Sequence, residues 1–426
     1  MNNRSEIYDN NKSPLRGDLE GRVGVWQNLK PKGDPFMWGI IFILSIWGLL
    51  AIYSSTGALA YKKNGGNVEI YLFQQAALLC IGFVVMLSIH TIHYKYFIGI
   101  SKLLIWLTYP LLIYTLIFGI EINGAKRWVS LVGLTFQASD VAKLAIIMFV
   151  TRELARKQDT IDDFKKTFLP ILAHITAICL LIAPEKLSTA LVLFTTCFII
   201  LFIGRVKIKH LALITGIVAL SGILFFSILF FVPEKALHGT GRLATWKGRI
   251  ENFGKHTYDA DKSYQNDHAK IAIASGGLFG KFPGNSTERN FLPEAYSDFI
   301  YAIIAEEYGL IGAIVMLMLY MFFLYRAVRM VLKSPKAFGA LIAVGLSFSL
   351  VLQALINMAV AVNLFPVTGL TLPLVSKGGT SIILTSIAFG VIMSVSRYIE
   401  QDEPNFETEI TSLKENNSDQ TEIIAT

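Results

Sequence analysis

Residues 168–203 read FLPILAHITAICLLIAPEKLSTALVLFTTCFIILFI, and this stretch decides the fold class. It contains two apolar runs, Phe168–Ala183 and Leu187–Ile203, and only the triplet Pro184-Glu185-Lys186 separates them. A helix that crosses a bilayer needs about 20 mostly apolar residues, and both runs approach that length. The stretch therefore predicts two transmembrane helices joined by a very short turn.

Similar apolar runs cover most of the 426 residues on either side of this pair. The composition agrees, since 53% of the residues are hydrophobic and 16% are charged, against roughly 25% charged residues in soluble domains. A soluble multidomain enzyme and a disordered chain are both excluded. We predict an all-α polytopic membrane protein with about ten transmembrane helices. The eight further runs are Phe36–Tyr53, Tyr71–Ile89, Tyr96–Ile120, Ala138–Val150, Leu211–Val232, Phe299–Tyr325, Phe338–Val362 and Leu370–Val395.

The basic residues predict the orientation of these helices. If the N-terminus lies in the cytoplasm, thirteen basic residues fall in short cytoplasmic connections, and six fall in short outer connections and the adjoining helix ends. The positive-inside rule then places both termini in the cytoplasm. The net charge of +7 is explained by topology in this way, and nucleic-acid binding is not predicted.

Three regions follow from these assignments. We expect a cytoplasmic N-terminal tail at residues 1–35, a transmembrane domain at 36–397 and an acidic cytoplasmic tail at 398–426. The transmembrane domain contains one long extracytoplasmic loop, residues 233–296, and loops of this length usually carry function. The seven histidines and three cysteines show no metal-site spacing, and the pair Gly276-Gly277 is only a weak phosphate signal.

Ionisable residues at membrane depth normally face a cavity or a partner. Asp140 and Lys143 lie three residues apart on one helical face, where they form either an ion pair at the interface or one wall of a polar cavity. Arg127 and Trp128 are either interfacial anchors or a site for a lipid headgroup.

Asp298 marks the end of the long loop, directly before an apolar run. The side chain is either a helix cap or a functional carboxylate. Glu306 and Glu307 follow about 12 Å further along the same predicted helix, so at least one of them should face the bundle interior. Together these groups indicate a polar site that opens outward and suits an anionic, lipid-linked substrate.

Four blocks of sequence, in this order, resemble the shape, elongation, division and sporulation (SEDS) family of polymerases. The resemblance covers roughly residues 36–397, and the Gly284-Asn285-Ser286 step is more similar to the family's division member than to its elongation member. Three positions depart from the family pattern: Ala183–Thr189 replaces Gln-Pro-Asp-Leu-Gly-Thr, Lys377 replaces an aromatic residue, and Asp140 replaces Glu. The blocks are residues 123–128 with 136–143, residues 264–265 with 274–280, residues 291–300 with 306–309, and residues 357–358 with 366–381.

The resemblance implies polymerisation of lipid II into glycan strands at the outer face of the cytoplasmic membrane. It implies an inverting glycosyl transfer in which Asp298, which matches the family's catalytic Asp, is the general base. Lipid II, undecaprenyl-linked glycan, membrane lipid, a class B penicillin-binding protein and other division proteins are the implied partners. A divalent cation is left open, because the sequence contains no dedicated site for it. The expected substrate-binding residues are Arg127, Trp128, Lys143, Arg242, Lys247, Arg249, Gln265 and Glu306.

Three other functions are compatible with the same sequence. A lipid II flippase would use the same cations but would need no base at Asp298, and it would need polar access from both sides. An elongation polymerase would use the same chemistry. A non-catalytic scaffold for a transpeptidase would explain the many helices but not the outer polar cluster.

Overall fold

The computed structural model describes residues 32–122, 125–131, 134–231, 260–334 and 336–399, and it confirms the helical class. A 3-10 turn (Gln158–Thr160) and a π-helical turn (Phe164–Phe168) precede α6, and a second 3-10 turn (Glu288–Asn290) precedes α9. The described helices are α1 (Pro35–Ser55), α2 (Gly57–Asn64), α3 (Glu69–Thr91), α4 (Tyr96–Phe118), α5 (Ala138–Arg156), α6 (Leu169–Ile203), α7 (Ile208–Phe231), α8 (Ala260–Gly276), α9 (Ile300–Lys333), α10 (Ala337–Ala361) and α11 (Thr380–Ile399).

Eight helical stretches are long and apolar enough to cross a membrane, and they comprise α1, α3, α4, α6, α7, α9, α10 and α11. The α6 stretch counts twice because it folds back on itself at Lys186, whose φ/ψ of −151°/81° is not helical. The Cys179 thiol donates to the Ala190 carbonyl over 3.6 Å, whereas eleven residues of continuous helix span about 16 Å. The two helices predicted around Pro184-Glu185-Lys186 are therefore confirmed as a hairpin.

Helix α5 supplies the remaining crossing segment, because its 19 residues extend about 28 Å through the bundle core. Among the described residues this makes ten crossing segments, as the apolar runs predict. The run predicted over Leu370–Val395 is wrong at its start, since residues 362–379 form turns and extended chain and the helix begins at Thr380.

Helix α9 is not the single continuous helix that its sequence predicts. Gly309 adopts φ 69° and ψ −169° and breaks it. The Tyr301 hydroxyl donates to the Ala313 carbonyl at 3.1 Å, although a continuous helix would place these residues about 18 Å apart. The first segment, which carries Glu306 and Glu307, is therefore turned sharply against the second.

One small antiparallel sheet, ordered β1-β2-β3, interrupts the helical pattern between α4 and α5, and the all-α prediction did not anticipate it. Its strands are β1 (Ile120–Ile122), β2 (Ala125–Leu131) and β3 (Leu134–Gln137). Trp128 is paired with Gln137 across β2 and β3. Because β3 runs directly into α5, the sheet holds Arg127 and Trp128 beside the start of that helix.

The core lies around α10 and α11. In these two helices 78% and 72% of the residues in the most apolar 18-residue stretch are buried, whereas the share in α7 is 11%. The glycine at position 48 of α1 packs against the turn before α11. A Cβ atom on Gly48 would lie 2.7 Å from the Leu374 carbonyl oxygen and 2.8 Å from the Val375 Cα. Helix α1 and this turn are therefore in direct backbone contact.

The described chain ends meet at one end of the bundle. The Arg326 guanidinium pairs with the Asp34 carboxylate at 2.5 Å, and the Asp34 amide donates to the Ser396 hydroxyl at 2.9 Å. We call the end of the bundle that contains these contacts the terminal end. At the opposite end, α8 packs so closely on α9 that a Cβ on Gly276 would lie 2.2 Å from the Ala305 carbonyl oxygen.

Candidate active site

A cavity of about 550 Å³ opens at the end of the bundle opposite the terminal end. Its walls come from the sheet, the start of α5, the hairpin turn of α6, the turn before α9, helix α10 and the segment before α11. Four cationic and three acidic side chains line it together with polar and glycine residues. The charged lining residues are Arg127, Lys143, Lys186, Lys377, Asp140, Glu294 and Asp298.

The Asp298 carboxylate enters this cavity from the turn that precedes α9. The side chain is partly exposed, and its Oδ1 accepts a hydrogen bond from the Ser297 hydroxyl at 3.1 Å. The helix begins at Ile300 with Phe299 at the N-cap position, and no side chain makes a capping bond there. The cap interpretation of Asp298 is therefore wrong, and the carboxylate is left facing the cavity.

Hydrogen bonds between backbone and buried side chains fix the position of Asp298. The Asn357 amide donates to the Asp298 carbonyl at 2.9 Å and to the Leu370 carbonyl at 2.6 Å. The Ser376 hydroxyl donates to the Ser297 carbonyl at 2.6 Å. The turn before α9 is thus attached to both α10 and the segment before α11, which pre-organises the carboxylate.

Helix α5 provides the second carboxylate of the cavity. The Lys143 ammonium lies 2.9 Å from Asp140 Oδ1 and donates to Gln353 Oε1 at 2.9 Å. Gln353 in turn donates to the Thr371 carbonyl at 2.8 Å. The two interpretations of the Asp140 and Lys143 pair are therefore both correct, since the residues form an ion pair and also line the cavity.

The sheet brings Arg127 and Trp128 to the same cavity, and both side chains are partly buried. A short hydrogen-bonded link holds the sheet in place, because the Thr380 hydroxyl at the start of α11 donates to the Thr135 carbonyl at 2.8 Å. The headgroup position predicted for Arg127 and Trp128 is thus compatible with where the structure places them.

Two cavity lysines had no role assigned from the sequence. Lys186 lies at the α6 hairpin turn, and Lys377 lies before α11 with its ammonium 3.8 Å from the centre of the Tyr71 ring and 5.3 Å from that of Tyr296. Both stand where the sequence departs from the family pattern. That departure was the only signal that singled them out.

The hydroxyl of Tyr296 stays protonated beside these charges. Burial, together with the nearby carboxylate of Glu294, raises the pKa of Tyr296 above its ordinary value. Tyr296 thus hydrogen-bonds to Glu294 and offers its aromatic face to Lys377.

Glu306, Glu307 and Gln265 do not line the cavity. Both glutamates are buried, as predicted for at least one of them. Glu306 accepts hydrogen bonds from the Lys281 ammonium at 2.7 Å and from the Thr287 amide at 3.0 Å, so it anchors the loop between α8 and α9. Gln265 lies half-buried on α8.

The three loop cations predicted to bind substrate, Arg242, Lys247 and Arg249, lie outside the described residues. Within the described ranges, no group of three or more His, Cys, Asp or Glu side chains is placed to hold a metal ion.

The fold and the cavity define a multi-pass membrane protein with a charged, partly buried site at one end of its helical bundle. The family of cell cycle proteins that comprises FtsW, RodA and SpoVE matches residues 35–401. The chain belongs to this family.

Two relatives illustrate the similarity. Stage V sporulation protein E of Bacillus subtilis is 34% identical over 322 residues, which cover 75% of this chain and 84% of that protein. A probable peptidoglycan glycosyltransferase FtsW of Nitrosomonas europaea is 33% identical over 377 residues, which cover 87% of this chain and 94% of that protein.

Solved structures share the fold. A chain from a peptidoglycan synthase complex, described for its coordination of polymerisation and crosslinking, superposes with a TM-score of 0.66 at 23% identity and covers 87% of this chain and 99% of its own. The rod shape determining protein RodA of Thermus thermophilus superposes with a TM-score of 0.61 at 24% identity and covers 86% of this chain and 97% of its own.

Proposed function

We propose that this protein is a peptidoglycan glycosyltransferase that polymerises lipid II into glycan strands. The observation that carries the proposal is the placement of the Asp298 carboxylate in one cavity with Arg127, Lys143 and further cations. A glycosyl transfer from a pyrophosphate-linked donor needs both a base for the attacking hydroxyl and positive charge for the leaving group. Relatives named as probable peptidoglycan glycosyltransferases support the same activity.

Asp298 acts as the general base in this mechanism. It removes the proton from the 4-hydroxyl of the acceptor's terminal sugar while that oxygen bonds to the anomeric carbon of the donor. The bond from this carbon to the pyrophosphate oxygen breaks, and the configuration inverts. A positioned base contributes about 10²–10⁴-fold to such a step.

Arg127 and Lys143 stabilise the negative charge that develops on the departing pyrophosphate. Asp140 Oδ1 lies 2.9 Å from the Lys143 ammonium and holds that side chain at the cavity wall. Trp128 packs against the sugar or the lipid beside them. Holding two lipid-anchored substrates in one cavity supplies proximity as well.

The cavity faces the outer side of the cytoplasmic membrane, and both termini face the cytoplasm. The basic residues support this orientation, since Lys207 pairs with Asp162 at 3.5 Å between two connections that the positive-inside rule assigns to the cytoplasm. The orientation matches the location of lipid II after its transfer across the membrane.

The test is glycan-chain formation from purified lipid II by the full-length protein with its cognate transpeptidase. Wild type should form polymer. Asp298→Asn should polymerise at least about 100-fold more slowly, which is the lower limit for removal of a general base. The variant must be inserted and folded as the wild type is. Full activity of Asp298→Asn would remove Asp298 from the role.

A class B penicillin-binding protein is the proposed partner, and cell division is the proposed setting. The peptidoglycan synthase complex with the same fold supports the partner, and several relatives named FtsW support division rather than elongation. A lipid II flippase is the remaining alternative. If neither wild type nor Asp298→Asn forms polymer, a translocation assay with labelled lipid II tests the flippase function directly.

A further inference from the structure

Lys186 lines the cavity, and the mechanism above does not use it. It forms the turn of the α6 hairpin, and its extended backbone separates the two antiparallel helical segments. The residue lines the cavity from the tip of the hairpin, and it is half-buried there. An ammonium group at such a position is costly to desolvate unless it has a function or a partner.

The attractive partners of Lys186 act only at longer range. The carboxylates of Asp140 and Asp298 attract its ammonium, and Arg127 and Lys143 repel it. Within the part of the chain that the structure describes, Lys186 makes no hydrogen bond and no salt bridge. Lys143 differs, because its ammonium contacts both Asp140 and Gln353 at 2.9 Å.

Lys186 also decides the formal charge of the cavity. With it, four cations face three carboxylates, and without it the charged groups that line the cavity would balance. Lys377 is a weaker candidate for binding an anion, since its ammonium lies over the Tyr71 ring at 3.8 Å. Lys186 therefore contributes to an excess of positive charge in the cavity, and its ammonium lies within electrostatic reach of both Asp298 and Arg127.

We propose that Lys186 is a substrate-binding residue that contacts the pyrophosphate of the lipid-linked donor. This inference rests on the proposed function. Lys186 lies close to both Asp298 and Arg127. The pyrophosphate must occupy this part of the cavity if the reacting carbon of the donor is to face the base. An ammonium without a short-range partner forms such a contact without first breaking an ion pair, which makes it a better ligand for phosphate than a paired lysine.

The experiment measures binding of a polyprenyl pyrophosphate to the intact protein in detergent, with the corresponding polyprenyl alcohol as the uncharged comparison. Wild type should prefer the pyrophosphate, and Lys186→Gln should bind it roughly 10- to 100-fold more weakly, which is the effect of losing one hydrogen bond to a charged group. Lys186→Arg keeps the charge and should bind more tightly than Lys186→Gln. Affinity for the alcohol should not change.

Lys209→Gln is the matched control, because it removes the same charge from an exposed lysine outside the cavity. Thermal unfolding of each variant separates lost binding from lost structure. Equal pyrophosphate binding by wild type and Lys186→Gln would overturn the assignment, and so would the absence of any pyrophosphate preference in wild type. Neither result decides the proposed function, since the polymerisation assay with lipid II tests that independently.

Discussion

Asp298 depends on a glycine that lies against its carboxylate. Gly369 adopts a φ of +69°, and a Cβ at this position would lie 3.4 Å from Asp298 Oδ2. The missing side chain leaves that oxygen open to the cavity and to the hydroxyl that it has to deprotonate. The left-handed backbone adds a second reason for glycine, since other residues adopt it at a cost of about 1–2 kcal/mol.

Gly369→Ala should therefore reduce polymerisation more than its effect on stability explains. The added methyl group covers one face of the carboxylate and strains the turn before α11. Gly65→Ala is the matched control, because Gly65 also has a left-handed φ of +60° but has no atom within 4 Å of its Cβ position. The polymerisation rates and unfolding temperatures of both variants are compared with those of wild type. Equal activity losses at equal stability would contradict the prediction.

The residues of the site illustrate what single positions in a sequence reveal. Arg127, Lys143 and Asp298 were predicted because charged groups are expensive at membrane depth, and the structure brings all three to one cavity. The role of Asn357 in holding the Asp298 carbonyl was not predicted. The two residues are 59 positions apart, and only the folded bundle brings them together.

At the scale of elements, the contact between α8 and α9 depends on glycines rather than on large apolar side chains. Gly276 lies against the Ala305 carbonyl, and Cβ positions on Gly280 and Gly309 would lie 2.2 Å and 2.3 Å from the carbonyl oxygens of Glu307 and Leu278. The Leu310 amide donates to the Gly277 carbonyl at 2.9 Å across the contact. Gly276, Gly280 and Gly309 are therefore packing residues, whereas Gly277 has a left-handed φ of +56° and no atom within 4 Å of its Cβ position. The weak phosphate signal of Gly276-Gly277 thus has a structural explanation.

Gly276→Ala should destabilise this contact strongly. A methyl group 2.2 Å from a backbone carbonyl forces the two helices apart, and overpacking of this kind costs about 1–3 kcal/mol or more. Gly216→Ala in α7 serves as the control, because its Cβ position has no neighbour within 4 Å and alanine favours helices. Unfolding temperatures in detergent should fall for Gly276→Ala alone. A Gly276→Ala protein as stable as wild type would contradict the packing role.

Hydropathy predicted the ten crossing segments, because burial in lipid requires the same long apolar runs from every helix. It did not predict the sheet or the break in α9. The strands at 120–137 are three to seven residues long and lie in a polar connection. Gly309 lies within the run Phe299–Tyr325, whose sequence predicts a continuous helix, and the bend is evident only from its backbone angles and contacts in the folded protein.

For the whole molecule, the orientation of the cavity is the prediction with the widest consequence. We expect a cysteine replacing exposed Asn285, near the cavity end, to react with a membrane-impermeant maleimide in intact cells. A cysteine replacing exposed Lys209 should react only after the cells are permeabilised, because the positive-inside rule places it in the cytoplasm. Both changes are made in a background without Cys80, Cys179 and Cys197. The reverse labelling pattern would contradict the orientation.

The backbone contact at Gly48 has a mechanical consequence. The Leu374-Val375 turn that touches Gly48 is followed directly by Ser376, whose hydroxyl holds the carbonyl of Ser297, the residue next to Asp298. No compressible side chain separates α1 from this series of contacts. We expect a displacement of the first helix to move Ser376, and with it the Ser297 carbonyl and the neighbouring Asp298 carboxylate in the cavity wall.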